Sequence, residues 1–222
     1  MPTETLSFDT ANGPATAFVA KPEAPASERA VIVIQEYWGL NPHIEDIAGR
    51  YANEGFIAIA PDLYRGKIAA DSSQAAELMQ ALKVEDGIDI IKNAMDKAAA
   101  AYNLTHFGIT GYCMGGTYAL LAACELEGIS AAAPFYGDIP AEDVLQKLTT
   151  PTIFISATKD RWINPEKVRT LENAAEKYEL PVTILKYEAD HAFFNDTRPD
   201  VYDATAAKDA WALVIGFFND KL

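Results

Sequence analysis

The chain predicts an α/β fold, with a mostly parallel central sheet, helices on both faces and an antiparallel hairpin at one edge. Three observations lead there. From about residue 30 onward, short apolar runs alternate with longer helix-like segments, the pattern of parallel strands joined by crossover helices. Ahead of them, two further runs flank Asn12-Gly13, a dipeptide that favours a tight hairpin turn. Half of the 222 residues are hydrophobic, enough to bury one large core, so residues 1–222 read as a single domain.

The elements follow in chain order. Thr5-Asp9 and Ala15-Lys21 form the hairpin, and the apolar run Ala30-Gln35 is the first strand of the parallel set. The remaining strands are Phe56-Ala60, Thr105-Thr110, Ala131-Tyr136, Thr152-Ser156 and Val182-Tyr187. Between and after them fall helices near His43-Asn53, Ser72-Leu82, Glu85-Ala101, Met114-Glu127, Pro165-Lys177 and Tyr202-Asn219. The alanine run Ala98-Ala101 reads as a helix end rather than a linker, and no internal repeat interrupts the pattern.

Charge and cysteine usage narrow the function classes. The formal net charge of −14 disfavours nucleic acid and anionic membrane partners through long-range repulsion. Met1-Pro-Thr-Glu-Thr5 lacks a basic start and an apolar core, and no run approaches the roughly 18 to 20 apolar residues of a membrane span. A cytoplasmic protein is expected. Cys113 and Cys124, the two cysteines, would lie about 16 Å apart along one helix, too far for a disulfide. Both are expected as free thiols, as in a reducing compartment. Three scattered histidines offer no metal-ligand set, and no G-x-G-x-x-G follows the first strand, so no metal or cofactor is expected. The expected partner is a small molecule, and monomer is the default state.

In an open parallel sheet, ligands bind beyond the carboxyl ends of the strands, and one segment there stands out. Gly111-Tyr112-Cys113-Met114-Gly115-Gly116 joins an apolar strand to a helix, with a cysteine at the apex and glycines two positions to either side. This is the nucleophile-elbow pattern with sulfur in place of oxygen. The helix N-terminus favours negative charge on the thiol, and its first N–H groups can receive an oxyanion. A buried structural cysteine is the plainer alternative.

A cysteine nucleophile needs a base. His191 follows a late strand and precedes the last helix, whereas His106 opens a strand on the opposite rim and His43 opens an early helix. Asp160, after the strand ending near Ser156, completes the order nucleophile, acid, histidine used by α/β-hydrolases. It is favoured over Asp138 and over Asp190, which is adjacent to His191 and poorly directed toward its ring.

With these residues in place, the chain resembles the dienelactone hydrolase (carboxymethylenebutenolidase) family of the α/β-hydrolase superfamily, nearly end to end. Gln35-Glu36-Tyr37-Trp38-Gly39, Pro61-Asp62-Leu63-Tyr64, Gly111 to Gly116, Asp160 and His191-Ala192-Phe193 carry the resemblance. It implies an α/β-hydrolase fold, a Cys113, Asp160 and His191 triad, and Glu36 as the group that takes the thiol proton when substrate binds. It further implies hydrolysis of dienelactone to maleylacetate in aromatic compound degradation, through a thioester, with the N–H groups of Met114 and Tyr37 as oxyanion hole. A different small ester or thioester is the alternative, followed by a non-catalytic binding or thiol-sensing protein.

Members that hydrolyse dienelactone hold its carboxylate with two arginines. Arg65 lies one place from the first expected position, and Asn195 occupies the second. Arg65, Arg161 and Arg198 fall in loops of the presumed active rim, and Tyr37, Trp38, Tyr64, Tyr136, Trp162 and Phe193 are expected to wall a planar cleft around the substrate.

Overall fold

The computed structural model describes residues 1–23 and 28–222. Its strands are β1 (Thr3–Thr10), β2 (Gly13–Ala20), β3 (Arg29–Ile34), β4 (Ile57–Pro61), β5 (His106–Tyr112), β6 (Ile129–Phe135), β7 (Thr152–Ala157) and β8 (Val182–Tyr187). Its helices are α1 (Pro42–Asn53), α2 (Ser72–Ala81), α3 (Val84–Tyr102), α4 (Met114–Glu125), α5 (Glu142–Leu145), α6 (Pro165–Tyr178) and α7 (Ala204–Lys221). The strands form one eight-stranded sheet in the order β1-β2-β4-β3-β5-β6-β7-β8. β1 pairs antiparallel with β2, and β2 antiparallel with β4, while β3 to β8 are mutually parallel.

This is the α/β-hydrolase arrangement expected from the sequence, with the hairpin at one edge. Element ends differ from the expected ones by one to two residues in most cases, and the alanine run does close a helix, α3. α5 was not expected. At four residues it is too short for a 3.6-residue hydrophobic period to register.

Two apolar layers explain why the central strands read as unbroken hydrophobic runs. Ile32 and Ile34 of β3 pack with Ile90 and Ile91 of α3, Leu120 of α4 and Leu171 of α6 on one face. Val31 and Val33 point the other way, toward Ile44 and Ile47 of α1 and Val214 and Phe218 of α7. Side chains of Asn41, Asp71, Asn164 and Asp203 accept hydrogen bonds from first-turn N–H groups of α1, α2, α6 and α7, so these helices start at sequence-encoded caps.

The chain runs from β3 to β4 on one side and then crosses to β5 on the other. The switch point between β3 and β5 therefore opens a crevice at their carboxyl ends. Glu36 leaves β3 there and Cys113 leaves β5. Among the described residues, no helix is long and apolar enough to cross a membrane.

Candidate active site

Cys113 stands at the N-cap of α4 with φ 57° and ψ −118°, a conformation L-residues rarely adopt. Close packing around the turn imposes it. A Cβ on Gly111 would meet the Gly115 carbonyl oxygen at 2.1 Å, and one on Gly115 would meet the Ile34 carbonyl oxygen at 2.3 Å. Both positions must be glycine for β5, α4 and the end of β3 to approach this closely. The N–H of Met114, first residue of α4, has no carbonyl to bind within the helix and lies beside the thiol. Cys113 is half-buried and faces a cleft of about 530 Å³. Cys124, eleven residues on, is also a free thiol, but it is buried in the core and burial pushes its pKa up to about 12.

His191 and Asp160 form a close pair. The imidazole Nδ1–H donates to Asp160 Oδ2 at 2.6 Å, and Asp160 Oδ1 accepts from the N–H groups of Trp162 at 2.8 Å and Ile163 at 2.9 Å. Burial opposes charge on the imidazole, but the Asp160 hydrogen bond and the nearby Cys113 thiol outweigh it and raise the His191 pKa to about 10. Burial also pushes the Asp160 carboxyl up; the His191 contact and the two backbone donors more than offset this, and its pKa is lowered. Nε2 of His191 is buried and faces the Cys113 sulfur. The ring is fixed by Trp162, edge-on at 4.9 Å, and by Tyr136 at 5.1 Å. Of the two competing acids, Asp138 lines the cleft but is ion-paired to Lys167, and Asp190 is exposed. His106 is exposed at the start of β5, and His43 is buried in α1 against Asp196.

Glu36 is only 2% exposed at the cleft floor. Burial raises its pKa, opposed by a hydrogen bond from Asn195 and by the charges of His191 and Arg198. Its Oε2 accepts from Asn195 Nδ2 at 2.7 Å, and its Oε1 has no hydrogen-bond partner.

The expected wall residues divide into two groups. Tyr37, Trp38, Tyr136 and Trp162 line the cleft, joined by Arg161 and Arg198. The other four expected contacts are corrected. Arg65 turns away through a left-handed backbone (φ 49°) and grips Asp86 of α3 with two hydrogen bonds of 2.7 Å. Tyr64 is buried beneath the cleft with its hydroxyl donating to Met114 Sδ at 3.1 Å. Phe193 is fully buried against Tyr136 and Tyr187, because the chain reverses at Ala192 (φ 63°). Asn195 is 2% exposed and spends its amide on Glu36.

The family model described as "Dienelactone hydrolase family" matches residues 15–222. The chain belongs to the dienelactone hydrolase family. It is 36% identical over 208 residues to a "Putative carboxymethylenebutenolidase" of Aquifex aeolicus, covering 87% of this chain and 88% of that one. It is 30% identical over 234 residues to a "Probable 2-oxo-3-(5-oxofuran-2-ylidene)propanoate lactonase" of Bradyrhizobium, covering 95% and 93%. The crystal structure of a "Putative Dienelactone Hydrolase" from Klebsiella pneumoniae superposes with a TM-score of 0.88 at 27% identity over 99% of both chains. This member of the family is thus a hydrolase of ester or lactone bonds.

Sequence reasoning missed several cleft residues of this dienelactone hydrolase relative. Thr117 was legible, because it lies four residues after Cys113 and so on the same face of α4. Lys167 was less so: it lies in the first turn of α6 and reaches back to Asp138 at 2.8 Å. Met79 reaches the cleft from α2, and no local signal in the sequence marks it.

Proposed function

We propose that this enzyme opens small lactones or activated esters through a thioester on Cys113, with dienelactone converted to maleylacetate as the leading substrate. Glu36 takes the thiol proton, and the thiolate adds to the substrate carbonyl. The N–H groups of Met114 and Tyr37 hold the oxyanion. Collapse breaks the C–O bond, and in a lactone the released enolate stays on the acyl group and takes the proton of the His191 imidazolium. Water then adds to the thioester, giving a proton to the now neutral Nε2, while Asp160 keeps Nδ1 protonated. The S–C bond breaks, and the departing thiolate recovers its proton from Glu36.

The observation that carries this reading is the Cys113 thiol at the start of α4, in one cleft with the 2.6 Å His191–Asp160 pair. Relatives named for lactone hydrolysis support it. The test is turnover of cis-dienelactone and p-nitrophenyl acetate by the native enzyme and by Cys113→Ala. Both activities should fall at least about 10³-fold with the circular dichroism spectrum unchanged, and hydroxylamine should release the trapped acyl group from the native enzyme alone. Retained turnover in the variant would overturn the thioester route.

A second reading keeps the machinery and changes the substrate to an ester without a carboxylate. Arg65 is held by Asp86 and Asn195 by Glu36, so neither is available to a substrate anion. Against it, Arg161 lines the cleft and has no ion-pair partner among the described residues. Fast ester cleavage with negligible dienelactone opening would favour this second reading.

A further inference from the structure

We infer that Asn195 is a positioning residue for Glu36: its amide anchors one carboxyl oxygen and ties the loop that carries His191 to the loop after β3. The inference rests on the proposed role of Glu36 as acceptor of the thiol proton.

The geometry leaves the amide one orientation. Asn195 Oδ1 accepts from the Thr197 N–H at 3.0 Å and from the Thr197 hydroxyl at 2.6 Å. A flipped amide would set its NH2 against the Thr197 N–H and its carbonyl against a carboxylate oxygen, losing those two contacts and keeping only the Thr197 hydroxyl, which can accept as well as donate. Nδ2 therefore faces Glu36 and donates to Oε2. With Oε2 engaged, Oε1 is the oxygen left to receive a proton. The carboxyl thus has one fixed end and one reactive end.

The chemistry of the donor matters as much as its place. A guanidinium at residue 195 would favour the ionised form of Glu36 through its fixed charge, whereas an amide supplies a hydrogen bond without one. Burial then dominates, and Glu36 titrates above the ordinary carboxylate range. The charged and titratable groups around it are His191 and Arg198 of the loop after β8, Cys113 at the start of α4, Tyr37 of its own loop and Tyr136 after β6. Among these opposing influences, the Asn195 hydrogen bond ranks first in favouring the ionised form. Removing it should hold Glu36 neutral to higher pH.

The test is the pH profile of kcat/KM for p-nitrophenyl acetate, a substrate without charge. Asn195→Leu removes the donor without adding a charge. Its acid limb should move up by about one pH unit or more, the worth of a hydrogen bond to a charged group, with KM little changed. Asn195→Asp, which keeps an oxygen for Thr197 but brings a carboxyl of its own beside Glu36, should move the limb further in the same direction; a shift in Asn195→Asp alone reports that added charge and overturns the positioning role. In a Glu36→Gln background the Asn195→Leu shift should vanish. An acid limb that stays in place in both Asn195 variants, while Glu36→Gln alters it, overturns the positioning role and leaves the role of Glu36 intact. A shift that persists in the Glu36→Gln background assigns Asn195 to another group and also overturns it. If Glu36→Gln alone leaves the limb unchanged, the proposed role of Glu36 fails first.

Discussion

Cys113 carries its backbone strain at the reacting atom. A residue with a Cβ at φ 57° and ψ −118° pays of order 1–3 kcal/mol that glycine does not. Glycine gives back roughly 0.5–1 kcal/mol through the freer unfolded chain. The balance predicts that Cys113→Gly is more stable than Cys113→Ala by about 1 kcal/mol. For a chain of this size that raises Tm by about 2–4 °C. Thermal unfolding of the two variants side by side checks this, and equal midpoints would mean that the turn is relaxed without a glycine. The same strain explains why the thiol points into the cleft rather than into the core as Cys124 does.

At the scale of elements, the site depends on how closely α4 sits against β3. A methyl group on Gly115 would lie 2.3 Å from the Ile34 carbonyl oxygen and 2.5 Å from that of Gln35, and both are backbone atoms with no freedom to swing aside. Gly115→Ala must therefore push the start of α4 outward, carrying the Met114 N–H and Cys113 with it. Overpacking of this kind costs about 1–3 kcal/mol, and a displacement near 1 Å at reacting groups costs on the order of 10²-fold in rate. Gly115→Ala should thus lose several degrees of Tm and most of its kcat. Normal turnover would show that the oxyanion donors lie elsewhere. This junction was legible in the sequence because its whole signal is local: a strand, two glycines, a cysteine and a helix within a dozen residues. The core strands were legible for a similar reason, since burial on both faces leaves few polar residues to blur them. Contacts between distant segments were not. Asn195 meets Glu36 across 159 positions, and Arg65 is turned toward Asp86 by a backbone angle that residue type does not announce. Sequence order placed both residues on the active rim, but the partner that each one takes depends on the packing of the whole chain.

At the scale of the molecule, the His191–Asp160 contact joins the loops after β7 and β8 and couples stability to pH. The folded His191 pKa is raised from 6.5 to about 10, so its contribution to stability is complete below pH 6.5. Above that, the unfolded chain sheds the proton while the folded one keeps it, and the contribution falls away until about pH 10. Asp160 acts at the other end. Its folded pKa is lowered from 3.8, so its contribution is present above that value and is lost as pH falls through the folded pKa. The pair therefore stabilises most between about pH 4 and 6.5. Asp160 is fully buried and His191 nearly so, and breaking such a pair costs about 3–5 kcal/mol. Asp160→Asn should accordingly be less stable than the native enzyme by about 3 kcal/mol near pH 6, with the gap narrowing steadily toward pH 10. Urea unfolding at a series of pH values reads the gap directly. Cys113→Ala supplies an internal check: Cys113 also favours the imidazolium, so in that background the gap should still begin to close near pH 6.5 but finish closing at lower pH. A gap that stays constant from pH 6 to 10 would mean that the imidazole is neutral in the folded enzyme, and that the pair holds the two loops together by geometry alone.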